Sequence, residues 1–272
     1  MTMEQNSFNP EELRQRFNPE GSPLRRQQLR MLDILTEVDR ICKKNGIRYW
    51  LSSGTLIGAI RHGGFIPWDD DLDIEMLRSD YLRLMDVLPA ELPDYLALQS
   101  HETDENYFYF YAKVRDRRSY LEETNSYDRH FKEKGIYIDI FPLERQRLWI
   151  HRLGELAFGH AYKIWRTSTN DEEAIKKVKR IFNINRKVVH PLLRGLNRIC
   201  GAHIITSGQS SPYHNPRHEN DIFPLKQHIF EGRMFPVPGN SDRVLRLIYG
   251  DYMQLPDLGN IRLHAAKMEI WE

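Results

Sequence analysis

Asp71 and Asp73 stand two residues apart in Trp68-Asp69-Asp70-Asp71-Leu72-Asp73-Ile74. On a strand, that spacing puts both carboxylates on one face and sends Leu72 and Ile74 into a core on the other. Two carboxylates side by side cannot both stay ionised cheaply, and a divalent cation removes the conflict. Oxygen-only ligands suit Mg²⁺ or Mn²⁺, and Mg²⁺ usually takes substrate phosphate oxygens as well. The bland alternative is a solvated acidic turn; aspartate is depleted in strands, which counts against it. A calcium loop fails on its own pattern. With Asp69, Asp71 and Asp73 at its first, third and fifth positions, the sixth would be Ile74 instead of Gly and the twelfth Asp80 instead of Glu.

Two further features point the same way. Asp139 alternates with apolar residues in Ile136-Tyr137-Ile138-Asp139-Ile140, which reads as a core strand. A neighbouring strand would set it beside Asp71 and Asp73; alone, it could equally be an edge-strand residue facing solvent. Upstream, Ser52-Ser53-Gly54-Thr55 falls between a strand and a helix. Glycine lets backbone approach a ligand closely, and a helix start offers free N–H groups to phosphate.

The elements that must position these residues follow from periodicity. Residues 1–21 are polar and read as a loose arm. Ser22-Pro23 suits an N-cap and first helical position, and Asn45-Gly46 suits a helix end. Strands are expected at 47–51, 71–76, 106–115 and 135–141, with short helices around 56–60 and from Ser79-Asp80 to about Leu88. Strands alternating with helices make an α/β (α+β) core. Residues 145–200 read as an appended helical region, in which Pro191 should break the run 176–198 into two helices. Residues 206–240 read as loop with short strands, and 241–249 as a short helix. The expected organisation is thus an arm over 1–21 and a single catalytic domain over 22–272.

The bulk numbers narrow the function classes. The chain has 272 residues, and its formal net charge of +1 does not call for nucleic acid. Its two cysteines imply no disulfide framework. The first residues lack the apolar stretch of a signal peptide, and no apolar run is long enough to span a bilayer. The expected location is therefore the cytoplasm; if the protein works on a membrane substrate, it must approach it from the inner face.

The stretch Leu51–Ile74, LSSGTLIGAIRHGGFIPWDDDLDI, resembles the signature of the LicD family of phosphorylcholine and phosphopolyol transferases, related to fukutin. The likeness continues in GIYIDIFPL (135–143), FEGRMFPVP (230–238) and YGDYMQLP (249–256), and is poorest over 145–210. The resemblance implies a nucleotidyltransferase-like, polymerase-β-like core. It also implies transfer of a substituted phosphate from a CDP-linked donor to a glycan hydroxyl. Asp71, Asp73 and Asp139 would hold the metal and do the catalysis. Ser53, Gly54 and Thr55 would hold donor phosphates, with Arg61, Lys113 and Arg115 as cations for developing charge. Asp69 and Asp70 would be supporting or turn residues, and Trp68 would pack against the loop. Family members often carry paired histidines near the C-terminus, where this chain shows only His264. The rival readings are a true nucleotidyltransferase and an inactive glycan-binding subunit.

Two weaker signals remain. The run 176–198 holds eight Lys and Arg and no acidic residue, with Val178, Ile181, Phe182, Val189, Leu192 and Leu196 roughly on one face. Such a helix could contact an anionic membrane, which would suit a lipid-linked acceptor. Cys200, His203, His214 and His218 have spacing compatible with zinc, though a single cysteine is a weak set.

Overall fold

The computed structural model describes residues 9–124, 128–211, 215–261 and 263–271. Two helices open it, α1 (Pro10–Phe17) and α2 (Pro23–Lys44). There follow β1 (Trp50–Leu51), α3 (Ser53–His62), β2 (Asp73–Leu77), α4 (Arg78–Glu91), β3 (Leu96–Gln99), β4 (Ala112–Asp116), β5 (Ser119–Glu123) and β6 (Tyr137–Gln146). The second half brings α5 (Leu148–Thr167), α6 (Asp171–Ile184), α7 (His190–Cys200), β7 (Ile204–Ser207), α8 (Glu219–Ile222), the hairpin β8 (Lys226–Phe230) and β9 (Arg233–Val237), α9 (Ser241–Tyr249) and β10 (Ala265–Ile270). This is an α/β fold around a mixed sheet.

The main sheet runs β1-β2-β6-β4-β3, with β7 also paired to β6. Its centre is the parallel pair β2 and β6, and every other pairing in it is antiparallel. The register sets Asp73 opposite Asp139, and Asp139 opposite Lys113. The alternate positions Ile74, Ile140, Val114 and Ile138 are fully buried and pack with Met31, Leu35, Val38 and Ile41 of α2. One face of these strands is therefore apolar, and the other carries charge.

Local chemistry explains most boundaries. The Ser22 side chain accepts from the Arg25 N–H, Pro23 fills the first turn of α2, and Gly46 takes φ +60 just past its end. α3 starts earlier than the periodicity suggests, at Ser53, and β1 shrinks from the expected 47–51 to two residues.

Three expectations need correction. The arm over 1–21 contains α1, whose Phe17 ring meets Trp68 edge-on at 5.3 Å; just beyond it, Asn18 bonds Gln28 at 2.7 Å. The expected strand over 106–115 begins only at Ala112. Before it, Phe108 and Phe110 turn to the rings of Trp165, Phe158 and Phe182, while Tyr107 and Tyr109 gather around Phe131. Aromatic burial against the helical region wins there over strand pairing. Finally, Pro191 does not break its helix. A wide five-residue π turn at Asn185–Val189 carries α6 into α7, with right-handed helical dihedrals at Ile184, Asn185, Val189 and His190, and Pro191 falls in the first turn of α7.

The helices α5 and α6 build a second small core from Phe158, Ala161, Trp165, Ala174, Val178 and Phe182. Among the described residues, no helix is long and apolar enough to cross a membrane.

Two glycines make opposite predictions. A Cβ on Gly135 would sit 1.8 Å from the Asp116 carbonyl oxygen, whereas one on Gly159, exposed on α5, meets nothing within 4 Å. Gly135→Ala should cost on the order of 3 kcal/mol. Gly159→Ala should stabilise by about 0.5–1 kcal/mol. Urea denaturation of both variants checks the signs.

Candidate active site

The charged face of β2 and the start of α3 enclose a cavity of about 440 Å³. Asp69, Asp71, Asp73 and Glu75 form its acidic wall, and Ser53, Gly54 and Thr55 adjoin it. Phe141, Ile248 and Tyr249 add apolar surface, and Ser207, Asn215 and Arg217 complete the lining.

α3 is tied to the acidic strand by its first turn. Thr55 Oγ1 accepts from the Asp73 N–H at 2.8 Å, and the Ser52 N–H donates to the Asp73 carbonyl at 3.1 Å. Ser52 makes no side-chain cap, so the first N–H groups of the helix stay available to a ligand. Ser53 sits at φ +49, a sparsely populated region for a residue with a Cβ. Gly54 is required by contact: a Cβ there would lie 2.5 Å from Asp69 Oδ2.

Burial dominates the electrostatics. It holds the Asp73 carboxyl well above its usual range, helped by the charges of Asp139, Asp71 and Asp69 and opposed by a hydrogen bond from Ser53. Asp139 is raised to about 6 by burial, with Lys113 pulling the other way from 2.7 Å. Asp69 is pushed up to about 7 by burial and by Asp71 and Asp70. Lys113 itself lies over the Tyr137 ring, 3.3 Å from its centroid. Glu75, by contrast, is neutralised: Arg217 donates to one of its oxygens and the Trp50 indole to the other. Arg217 is buried, and its Nε has no hydrogen-bond partner.

The loop before β2 is clamped from both ends of the chain. Gln27 and Gln28 of α2 donate to the carbonyls of Asp70 and Asp69, each at 2.9 Å. The Asp70 carboxylate accepts from the N–H groups of His264 and Ala265 at 2.7 and 2.9 Å. His264 Nδ1 lies 3.0 Å from Asp70 and 2.9 Å from Asp71; these hydrogen bonds raise its pKa to about 11.

The structure thus brings Ser53, Gly54, Thr55, Asp71 and Asp73 to one cavity, with Asp139 and Lys113 alongside. Asp71 is there although it precedes β2 instead of lying in it. Arg115 and Arg61 are elsewhere. Arg115 is fully buried and spends its guanidinium on Gln99 and the Gly135 carbonyl. Arg61 sits at the far end of α3, on the carbonyls of Tyr252 and Gln254. Trp68 packs between Phe17 and His62. Sequence reasoning missed Glu75, Arg217, Tyr249 and the clamp by His264. Glu75 alone left a signal, since it continues the alternation of Asp71 and Asp73.

As a metal set, Asp71, Asp73 and Asp139 offer oxygen donors only; burial and the charge of Asp71 favour the protonated form of both Asp73 and Asp139. That chemistry fits a hard divalent cation. The described residues whose ligand atoms already close within 4.8 Å are Asp70, Asp71 and His264, so Asp71 is shared between an ion pair and the oxygen set. For the zinc reading, His214 lies outside the described residues. His203 meets Arg147, whose guanidinium also takes the Cys200 carbonyl.

The cavity is thus lined by carboxylates, lies at a helix start and sits on the central strands of a mixed sheet. Comparison with known proteins gives the class. Residues 46–195 match the family described as LicD/FKTN/FKRP, nucleotidyltransferase domain. The chain is 30% identical to lipopolysaccharide cholinephosphotransferase LicD of Haemophilus influenzae over 252 positions, covering 86% of this chain and 92% of that protein. A 35-residue stretch is 54% identical to human ribitol 5-phosphate transferase FKRP, covering 13% of this chain and 7% of that one. The yeast mannosyltransferase regulator 4 is 29% identical over 119 residues, 43% of this chain and 10% of its own. The chain belongs to the LicD family and is a transferase of that type.

The contact at Gly54 gives a test. Gly54→Ala must displace Asp69 or tilt the start of α3. Turnover should fall roughly a hundredfold, while the urea midpoint moves little. Full activity would show that this contact does not shape the site.

Proposed function

We propose that this protein moves a substituted phosphate from a CDP-linked donor to a glycan hydroxyl, on a nucleotidyltransferase-like core, with Mg²⁺ or Mn²⁺ held by Asp71, Asp73 and Asp139. One observation carries the reading. Two carboxylates, Asp139 buried and Asp73 half-buried, stand opposite each other on adjacent parallel strands, beside a helix start without a side-chain cap. The relatives named above act as a cholinephosphotransferase and a ribitol 5-phosphate transferase, which supports transfer of the whole substituted phosphate. The first works on lipopolysaccharide by name, which supports a glycan acceptor, one that a lipid can carry.

The residues divide the work as follows. The N–H groups at Ser53–Thr55 and the positive end of α3 bind the donor's phosphate oxygens. The orphaned Nε of Arg217 is a further donor in the same wall. A divalent cation, when bound, offsets the pyrophosphate charge and makes CMP a better leaving group. Lys113 holds the Asp139 carboxylate through their ion pair, at the position in register with Asp73. The acceptor oxygen forms a bond to the outer phosphorus, the bond from that phosphorus to CMP breaks, and the hydroxyl proton passes to the carboxylate cluster. A true nucleotidyltransferase would use the same groups but release pyrophosphate; product analysis separates the two.

The assay is CMP release from a panel of CDP-linked donors, with Mg²⁺ or with chelator. Asp73→Asn should lower release roughly a thousandfold or more. The fold should hold, because the change also removes a like-charge repulsion. Unchanged release in Asp73→Asn, or full release in chelator, overturns the assignment.

A further inference from the structure

α5 and α7 pack side by side. A Cβ on Gly154 would meet Leu193 Cδ1 at 3.3 Å, and the Asn185 side chain donates to the Ala157 carbonyl at 3.3 Å. Both helices turn apolar side chains to solvent. On α5 these are Trp149, Leu153 and Leu156, at i, i+4 and i+7. Alongside it they are Ile184 at the end of α6, Val188 in the π turn, and Leu192 and Ile199 of α7. Leu156 is 75% exposed, Leu192 68% and Ile199 84%. The chain runs from 184 through the π turn to 199 without a non-helical residue between. The face expected from periodicity is a different one, since Val178 and Phe182 are buried against α5. Adjoining exposed stripes of this kind are uncommon on a surface that only meets water.

The rim of this surface is basic. Arg152, Lys187 and Arg198 are exposed beside it, and no Asp or Glu occurs between Ala174 and His218. Glu155 of α5 is half-buried. Under α7 lies a cavity of about 340 Å³ lined by Arg78, Arg145, Arg194 and Arg198 together with Glu144. Glu144 is taken by Arg194 at 2.7 and 2.9 Å, and Arg145 by Glu219. The four guanidinium groups outnumber these two carboxylates. Arg78 also opens α4, whose first turn has no side-chain cap.

We propose that α5 and the 184–199 face dock on an anionic lipid bilayer, the apolar stripes entering the interface and the arginine cavity receiving a lipid phosphate. A bilayer presents one sign of charge along its whole surface, which matches a rim lacking acidic residues on the α7 side. This docking is independent of the transfer reaction and would bring the enzyme to acceptors carried on lipid.

Flotation of the full chain with vesicles tests it. The protein should float with mixed phosphatidylcholine–phosphatidylglycerol vesicles, scarcely with phosphatidylcholine alone, and less at high salt. Lys187→Ala and Arg198→Ala should each weaken binding about fivefold. Leu192→Ser with Ile199→Ser should weaken it on the order of tenfold or more. Brominated acyl chains should quench fluorescence in the wild type and distinctly less in Trp149→Phe. All these side chains are exposed, so circular dichroism and CMP release should stay unchanged, which separates a docking defect from a catalytic one. Equal flotation with both vesicle types overturns the proposal. So does a stable dimer that the Leu192→Ser, Ile199→Ser variant dissolves, because a second copy would then cover the face.

Discussion

The structure turns on one unfavourable proximity, the Asp73 and Asp139 carboxylates opposite each other across a parallel ladder. Strands sit about 4.8 Å apart, so neither carboxylate can move away without giving up the register. The register is not free to slip, because shifting either strand by one residue would put Ile74 or Ile140 in the cavity and a carboxylate in the core. Packing against α2 therefore enforces the repulsion. What offsets it is local: the Ser53 hydroxyl at Asp73, and at Asp139 the Lys113 ammonium, itself bracketed by Tyr111 and Tyr137. Like charges are thus held together here by apolar packing, which is the feature the proposed divalent cation would relieve.

Much of this was legible along the chain because it is local. Alternation in β2 and β6 reveals which side chains share a face, and Ser22-Pro23 with Asn45-Gly46 frames the long helix. The small-residue turn before α3 announces a backbone that something must approach. The parts that escaped reading depend on distant partners. Arg61 and Arg115 have the right charge and plausible spacing, but their guanidinium groups are claimed by carbonyls and a glutamine that no local pattern reveals. Arg217 reaches the cavity from a segment without regular structure, through a pairing with Glu75 across 142 positions. The aromatic run before β4 has strand-like composition, yet its rings found better burial against the helices.

The helical region shows how a single residue can mislead when its context is missing. Proline in a helix costs one hydrogen bond and a steric clash, and the simplest remedy is a break. Here the backbone widens over five residues instead. The chain stays helical from 184 to 199, and the exposed aliphatic side chains lie along it.

The clasp between Asp70 and His264 spans 194 positions. On a ribosome, the acidic loop would emerge after Gln27 and Gln28, which hold its carbonyls, and long before His264, which holds its Asp70 carboxylate. The glutamine clasp can therefore form well before the histidine one, and the presentation of the Asp70 carboxylate is completed by two stretches of chain made far apart in time.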